Sequence, residues 1–102
     1  MEATNYIYGF EKKWEPKTSD FNAIVNKNYI VDTTIAPVTA TLPDSPINGS
    51  SIKFAEGGNF SINNLLINRN GKTIENENNN LIIDIENYSF ELVYYDDNWN
   101  IV

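Results

Sequence analysis

The strongest constraint on this chain is the density of turn-forming residues in its apolar pattern. From Lys27 to Val102 each apolar stretch is cut within a few residues by Pro, Gly, Asn or Asp. The interruptions are Ala36-Pro37, Pro43-Asp44-Ser45-Pro46, Asn48-Gly49, Gly57-Gly58-Asn59, Asn70-Gly71, Glu75–Asn80 and Asp96-Asp97-Asn98. Helices need longer uninterrupted segments with a 3.6-residue period, and none of useful length is present. Short strands remain. Tyr29–Thr34 is rich in β-branched residues, and Val38–Leu42 alternates, placing Val38, Ala40 and Leu42 on one face. Ile52 and Phe54 alternate in the same way, as do Phe60 and Ile62. Leu65–Asn68, Leu81–Ile85, Ser89–Tyr95 and Trp99–Val102 complete the series. Asn70-Gly71 predicts a type I′ hairpin returning through Lys72–Ile74, because both central residues of such a turn need positive φ. Asp96-Asp97-Asn98 predicts the turn of the final pair.

About eight short strands at regular spacing predict an all-β fold, an antiparallel β-sandwich or barrel-like roll. The pattern divides the chain into an N-terminal arm and linker, residues 1–26, and a β domain, residues 27–102. The arm carries Tyr6, Tyr8, Phe10 and Trp14, with the first three alternating as on an extended strand. Glu15–Asp20 reads as a loop because it is polar and contains Pro16. A turn or two of helix is open to Phe21–Val25 behind a Ser19 or Asp20 cap.

The chemistry open to the chain is narrow. Its 102 residues contain neither histidine nor cysteine. That excludes a disulfide framework, a thiol nucleophile, a His-based triad and a Cys/His zinc site. Fourteen acids against seven bases give a formal charge of −7, without the basic stripe that nucleic-acid binding requires. No apolar run approaches a bilayer span, and residues 1–14 lack the apolar stretch of a signal peptide. Asp96-Asp97-Asn98 with Asn100 offers oxygen ligands, yet lacks the spacing of an EF-hand loop, and Asx-turn chemistry accounts for it. Fourteen acids guarantee some carboxylate pairs, so a pair alone does not point to glycosidase chemistry. The reading is therefore a protein without catalytic, metal or cofactor site. The 17 asparagines favour turns over helices.

Two aromatic groups are candidates for recognition. Tyr6, Tyr8, Phe10 and Trp14 either pack on their own domain or dock on a neighbour, since Tyr and Trp provide large contact area at low entropic cost. An extended arm could also add a strand to a partner's sheet. In the β domain, adjacent Tyr94 and Tyr95 face opposite ways, one inward. The other, with Tyr88 and Trp99, could form an exposed cluster serving as a subunit interface or as a platform for a sugar ring.

From Tyr29 to Val102 the sequence resembles a small β domain of tailed-bacteriophage virion structural proteins, found in tail fibres, spikes and capsid or neck decorations. The resemblance rests on Tyr29-Ile30-Val31-Asp32-Thr33, Val38-Thr39-Ala40-Thr41-Leu42-Pro43, Ser45-Pro46, Gly49, Ile52-Lys53-Phe54 and Gly58-Asn59-Phe60. It continues through Asn63-Asn64-Leu65, Ile67, Arg69-Asn70-Gly71, Leu81, Leu92-Val93-Tyr94 and Trp99. Glu75-Asn76 departs from the pattern, which more often has a glycine after the isoleucine. The resemblance implies a non-enzymatic virion component, with a homotrimer as the expected oligomer. At this size it implies an accessory docked on capsid, neck or tail through other virion structural proteins. A host-surface glycan-recognition module of a fibre or adhesin is the alternative.

Overall fold

The structure is a computed structural model that describes residues 13–102. Within them the chain is all-β, with ten short strands and no helix. The strands are β1 (Glu15–Lys17), β2 (Phe21–Asn22), β3 (Asn28–Asp32), β4 (Val38–Thr41), β5 (Ser51–Gly58), β6 (Leu65–Asn68), β7 (Thr73–Ile74), β8 (Leu81–Ile83), β9 (Ser89–Tyr95) and β10 (Asn98–Ile101). They form two sheets, ordered β1-β3-β5-β9-β10-β7 and β2-β4-β6-β8. From β1 to β8 successive strands alternate between the sheets, so the chain winds as a flattened coil.

The all-β, sandwich-like architecture follows the sequence; the strand directions do not. Both sheets are mixed rather than antiparallel. β1, β3 and β5 pair parallel in the larger sheet, and β2, β4 and β6 pair parallel in the smaller one. Parallel neighbours need a crossover connection, and here the strand of the opposite sheet provides it. Each parallel strand therefore keeps one face on solvent and retains an apolar-polar alternation, unlike strands buried on both faces. Antiparallel β8 closes the smaller sheet on β6. The β9–β10 hairpin inserts between β5 and β7, pairing antiparallel with β5 and parallel with β7.

The folded unit begins well before Lys27. Residues 15–22 form the first turn of the coil and belong to both sheets, so the linker and helix expected there are replaced by strands. Pro16 is tolerated because β1 is an edge strand, where a missing N–H costs no ladder bond. Charged Glu15 and Lys17 also blunt that edge against pairing with another chain. Lys17 Nζ stands 5.3 Å from the Phe21 ring centre and 5.9 Å from that of Tyr29, in cation–π geometry.

Register explains the core. Inward positions stack from one turn of the coil to the next. In the larger sheet Tyr29, Phe54 and Phe90 are cross-strand neighbours, and Phe21 and Tyr88 extend the row at either end. Ring centres are 4.8, 6.0, 5.3 and 5.5 Å apart along Phe21-Tyr29-Phe54-Phe90-Tyr88, the spacing of favourable aromatic pairs. Tyr29 also accepts a hydrogen bond from the Ile24 N–H at its hydroxyl, 2.9 Å away. Burial pushes its phenol above the usual range, partly offset by that bond. In the smaller sheet the stacked rows are Val38-Leu65-Ile83 and Phe21-Ala40-Ile67-Leu81.

Two expected local features differ. Asn70-Gly71 makes the positive-φ turn, but it joins β6 of one sheet to β7 of the other, so no hairpin results. Phe60–Asn63 is a turn rather than a strand; Phe60 is buried and Ile62 exposed. As expected for a polar loop, Glu75 and Asn76 lie outside any strand, and with φ of 50° and 63° they form a tight turn. Its bonds run both ways between Ile74 and Glu77, and Glu75 Oε1 accepts the Ile101 N–H at 2.7 Å.

Where β3 leaves β5 the ladder shifts register between Val31 and Asp32. Gly58 lies against the Asp32–Thr34 turn there. A Cβ on it would stand 2.8 Å from Thr34 Oγ1 and 3.0 Å from Asp32 Oδ1. Gly58→Ala should therefore cost about 1–3 kcal/mol in chemical denaturation. A loss under about 0.5 kcal/mol would mean that this turn shifts freely.

Candidate assembly surface

The parallel winding gathers the loops onto two opposite flanks. Connections from the larger to the smaller sheet, residues 18–20, 33–37, 59–64 and 75–80, lie at the C-terminal ends of β1, β3, β5 and β7. The 84–88 connection joins them, because β9 runs antiparallel to β5 and starts beside its end. Connections in the other direction, residues 23–27, 42–50 and 69–72, lie on the opposite flank with the β9–β10 turn.

On the first flank the loops are tied to one another. Glu56 accepts hydrogen bonds from the Phe60 N–H at 2.6 Å and from the Asn87 N–H. Ser61 donates its hydroxyl to Glu86 at 2.6 Å. The Asn63 amide donates to the Thr33 carbonyl at 2.9 Å. From this framework Ile35, Ile62 and Ile85 project with 90, 74 and 57% of their surface exposed.

On the second flank a largely apolar groove of about 430 Å³ lies between the 23–25 segment and the 43–47 loop, bordered by Ile24, Val25, Pro43, Pro46 and Ile47, with Asp44 as its one charged lining residue. Asn48 and Ser50 tie this loop to the β9–β10 end. Asn48 Oδ1 accepts the Asp96 N–H at 2.9 Å, and the Ser50 carbonyl accepts the Tyr94 N–H at 2.8 Å.

Of the aromatic cluster, the structure exposes only Tyr95. Trp99 is fully buried and Tyr94 nearly so, packed edge-on at 5.1 Å between ring centres. The sequence left Trp99 free for recognition; the coil instead buries it because β10 is flanked by β9 and β7, and its register puts the indole opposite Tyr94 and Ile74. Tyr88 ends the aromatic row, half-buried against Phe90. Of the arm, Tyr6, Tyr8 and Phe10 lie outside the described residues. Trp14 borders a shallow groove with Lys53, Ser89, Glu91 and Val102 on the outer face of the larger sheet.

The polar turns are spent on structure. Asp96 and Asp97 take positive φ in the β9–β10 turn. Asp97 accepts from Lys72 at 3.2 Å and from the Tyr94 hydroxyl at 3.1 Å. Arg69 donates to the Lys72 carbonyl at 2.7 Å. Buried Asn98 accepts from the Thr73 hydroxyl and the Asn76 N–H and donates to Asn100. Among the described residues no group of three or more acidic side chains is placed to hold a metal ion.

Three exposed carboxyls sit below their ordinary values. The Lys17 ammonium holds Glu15 down, the Thr34 hydroxyl and then its N–H hold Asp32, and the Lys72 ammonium followed by the Tyr94 hydroxyl holds Asp97. A depressed folded value favours the folded state above the unfolded value and loses that benefit as pH falls through the folded one. Thermal melts at stepped pH should show stability falling as pH drops through 4.5, where Glu15 is half protonated in the unfolded chain, and further through 3.8 for the aspartates. Asp32→Asn should remove part of the lower limb; a melting temperature flat from pH 5 to about pH 2.5 would contradict the assignment.

The flanking isoleucines are missing from the sequence-level candidates. Their signal was local: Ile35 precedes Ala36-Pro37, and Ile47 lies between Pro46 and Asn48-Gly49, so each sits in a segment that turns rather than in a strand. No protein-family model matches the chain, and no curated protein matches it.

Proposed function

We propose that this protein is a non-enzymatic structural component of a bacteriophage virion, an accessory that docks on capsid, neck or tail through protein–protein contacts. The resemblance carried by Tyr29–Val102 supports the virion setting and favours a homotrimer. The observation that supports docking is the set of large apolar side chains held out on cross-bonded loops. Single exposed apolar residues are ordinary on any protein. Several of them on loops that are already cross-bonded suit an interface, because little conformational freedom is lost on contact. The protein's acidic balance keeps the remaining surface well hydrated and soluble.

Immunogold labelling of purified particles tests this reading. Gold should decorate one fixed location on each virion, and the protein should sediment with particles. Recovery solely in the soluble fraction of lysed host cells, with unlabelled particles, overturns it.

A further inference from the structure

Two Asn-Gly pairs occur in the sequence, Asn48-Gly49 and Asn70-Gly71, and both lie exposed in turns. In such a pair the glycine backbone nitrogen can reach the asparagine Cγ, because no Cβ on the glycine stands in the way. The fold holds the two pairs differently. Gly49 donates its N–H to the Tyr94 carbonyl at 2.8 Å, and the Ser50 N–H closes the turn on the Ile47 carbonyl at 3.0 Å. Asn48 Oδ1 accepts the Asp96 N–H at 2.9 Å. Nucleophile and electrophile of this pair are thus both fixed to the β9–β10 end. Among the described residues the Gly71 N–H has no hydrogen-bond acceptor. Its turn closes on a longer bond, 3.3 Å from the Lys72 N–H to the Arg69 carbonyl. Asn70 Nδ2 donates to the Leu42 carbonyl at 2.9 Å. That bond steadies the leaving group and leaves the attacking nitrogen free.

We propose that Asn70, and not Asn48, is a site of spontaneous deamidation. The Gly71 nitrogen attacks Asn70 Cγ as it gives up its proton, the Cγ–Nδ2 bond breaks, and ammonia leaves with that proton. The product is a cyclic succinimide spanning Asn70 and Gly71. Water then adds to one of its two carbonyl carbons and breaks that carbon's bond to nitrogen. Opening at Cγ gives aspartate. Opening at the Asn70 main-chain carbonyl gives isoaspartate, whose backbone runs through the side chain. Nothing is oxidised or reduced. Either product has a carboxylate in place of the amide, so the donor to Leu42 is lost. Leu42 directly follows β4, and Pro43 borders the groove. The modification therefore slowly unties the 69–72 turn from the groove flank, and it does not depend on the virion reading.

Peptide mapping by mass spectrometry, on the full chain aged in mildly alkaline buffer, tests the proposal. The Asn70 peptide should show the mass change from amide to acid and become a substrate for isoaspartyl methyltransferase. It should do so about tenfold faster than the Asn48 peptide, a barrier difference of about 1.4 kcal/mol. One further backbone hydrogen bond to break accounts for that difference. In urea the two pairs should react at similar rates, because the distinction lies in the fold. Asn48 reacting as fast as Asn70 in the folded chain overturns the proposal, as does a folded chain in which neither reacts. A preference for Asn70 that persists undiminished in urea also overturns it, since the local sequence would then be the cause. Asn70→Asp writes in one product directly. Its Lys72 amide should exchange with solvent several-fold faster than in the wild type, and an unchanged rate overturns the loosening of the flank.

Discussion

Phe54→Ala should lower the free energy of unfolding by about 3–5 kcal/mol, the range for removing a fully buried aromatic ring. Phe54 has no exposed surface and stands at the centre of the five-ring row, between Tyr29 at 6.0 Å and Phe90 at 5.3 Å. Its loss opens a cavity that the neighbours cannot readily fill, because their backbones are fixed by the β3–β5 and β5–β9 ladders. Domains of this size have about 5–15 kcal/mol in total, so the variant loses a large fraction of it. Denaturant titration followed by tryptophan emission measures the effect, with Trp99 reporting from the buried core. Phe54→Leu should cost less, since it keeps much of the apolar volume. A cost below about 1 kcal/mol for the alanine variant would mean that the row does not form the core.

Removal of one surface carboxylate should have the next largest effect. Glu56→Ala leaves the Phe60 and Asn87 N–H groups without their acceptor. Hydrogen bonds to a charged group contribute about 1.5–3 kcal/mol each, and water recovers part of that at a half-exposed site. The net cost should be about 2–3 kcal/mol. Hydrogen exchange locates it: the amides of Phe60 and Asn87 should exchange much faster, while those of the β4–β6 ladder keep their protection relative to global unfolding. Equal acceleration at every amide would instead mean that Glu56 supports the whole fold rather than its flank. Glu56→Gln retains one oxygen acceptor and should fall between the alanine variant and the wild type.

The sequence reveals the core more fully than the topology. Alternation placed Val38, Ala40, Leu42, Ile52 and Phe54 inward, and all five are buried. It could not distinguish parallel from antiparallel pairing. A coil that crosses through its opposite sheet leaves each strand one wet face, which produces the same alternation as a meander. The Asn70-Gly71 signal is local and correctly gives a turn, but a turn does not determine whether the next strand joins the same sheet. Trp99 was misplaced for a related reason. Its burial depends on β7, which reaches the larger sheet from β6 of the smaller one, a contact that no nearby spacing encodes. The flanking isoleucines were obscured because Ile62 continues an apolar alternation with Phe60 that the turn at Asn59 interrupts. Asn59 adopts φ of 64° there, a conformation asparagine accepts more readily than most residues.

The insertion of β9–β10 between β5 and β7 also orders events in time. A chain emerging from the ribosome can wind β1 through β6 as it is made, yet the edge of β5 has no antiparallel neighbour until Ser89–Tyr95 follows. Pairings between distant segments form slowly, and an open strand edge is the surface on which partly made proteins stick to one another. Translation supplies only about 5–20 residues per second, so the gap between the emergence of Phe54 and of Phe90 is long on the scale of strand pairing. The half-synthesised protein, rather than the finished one, is thus the form most in need of a chaperone.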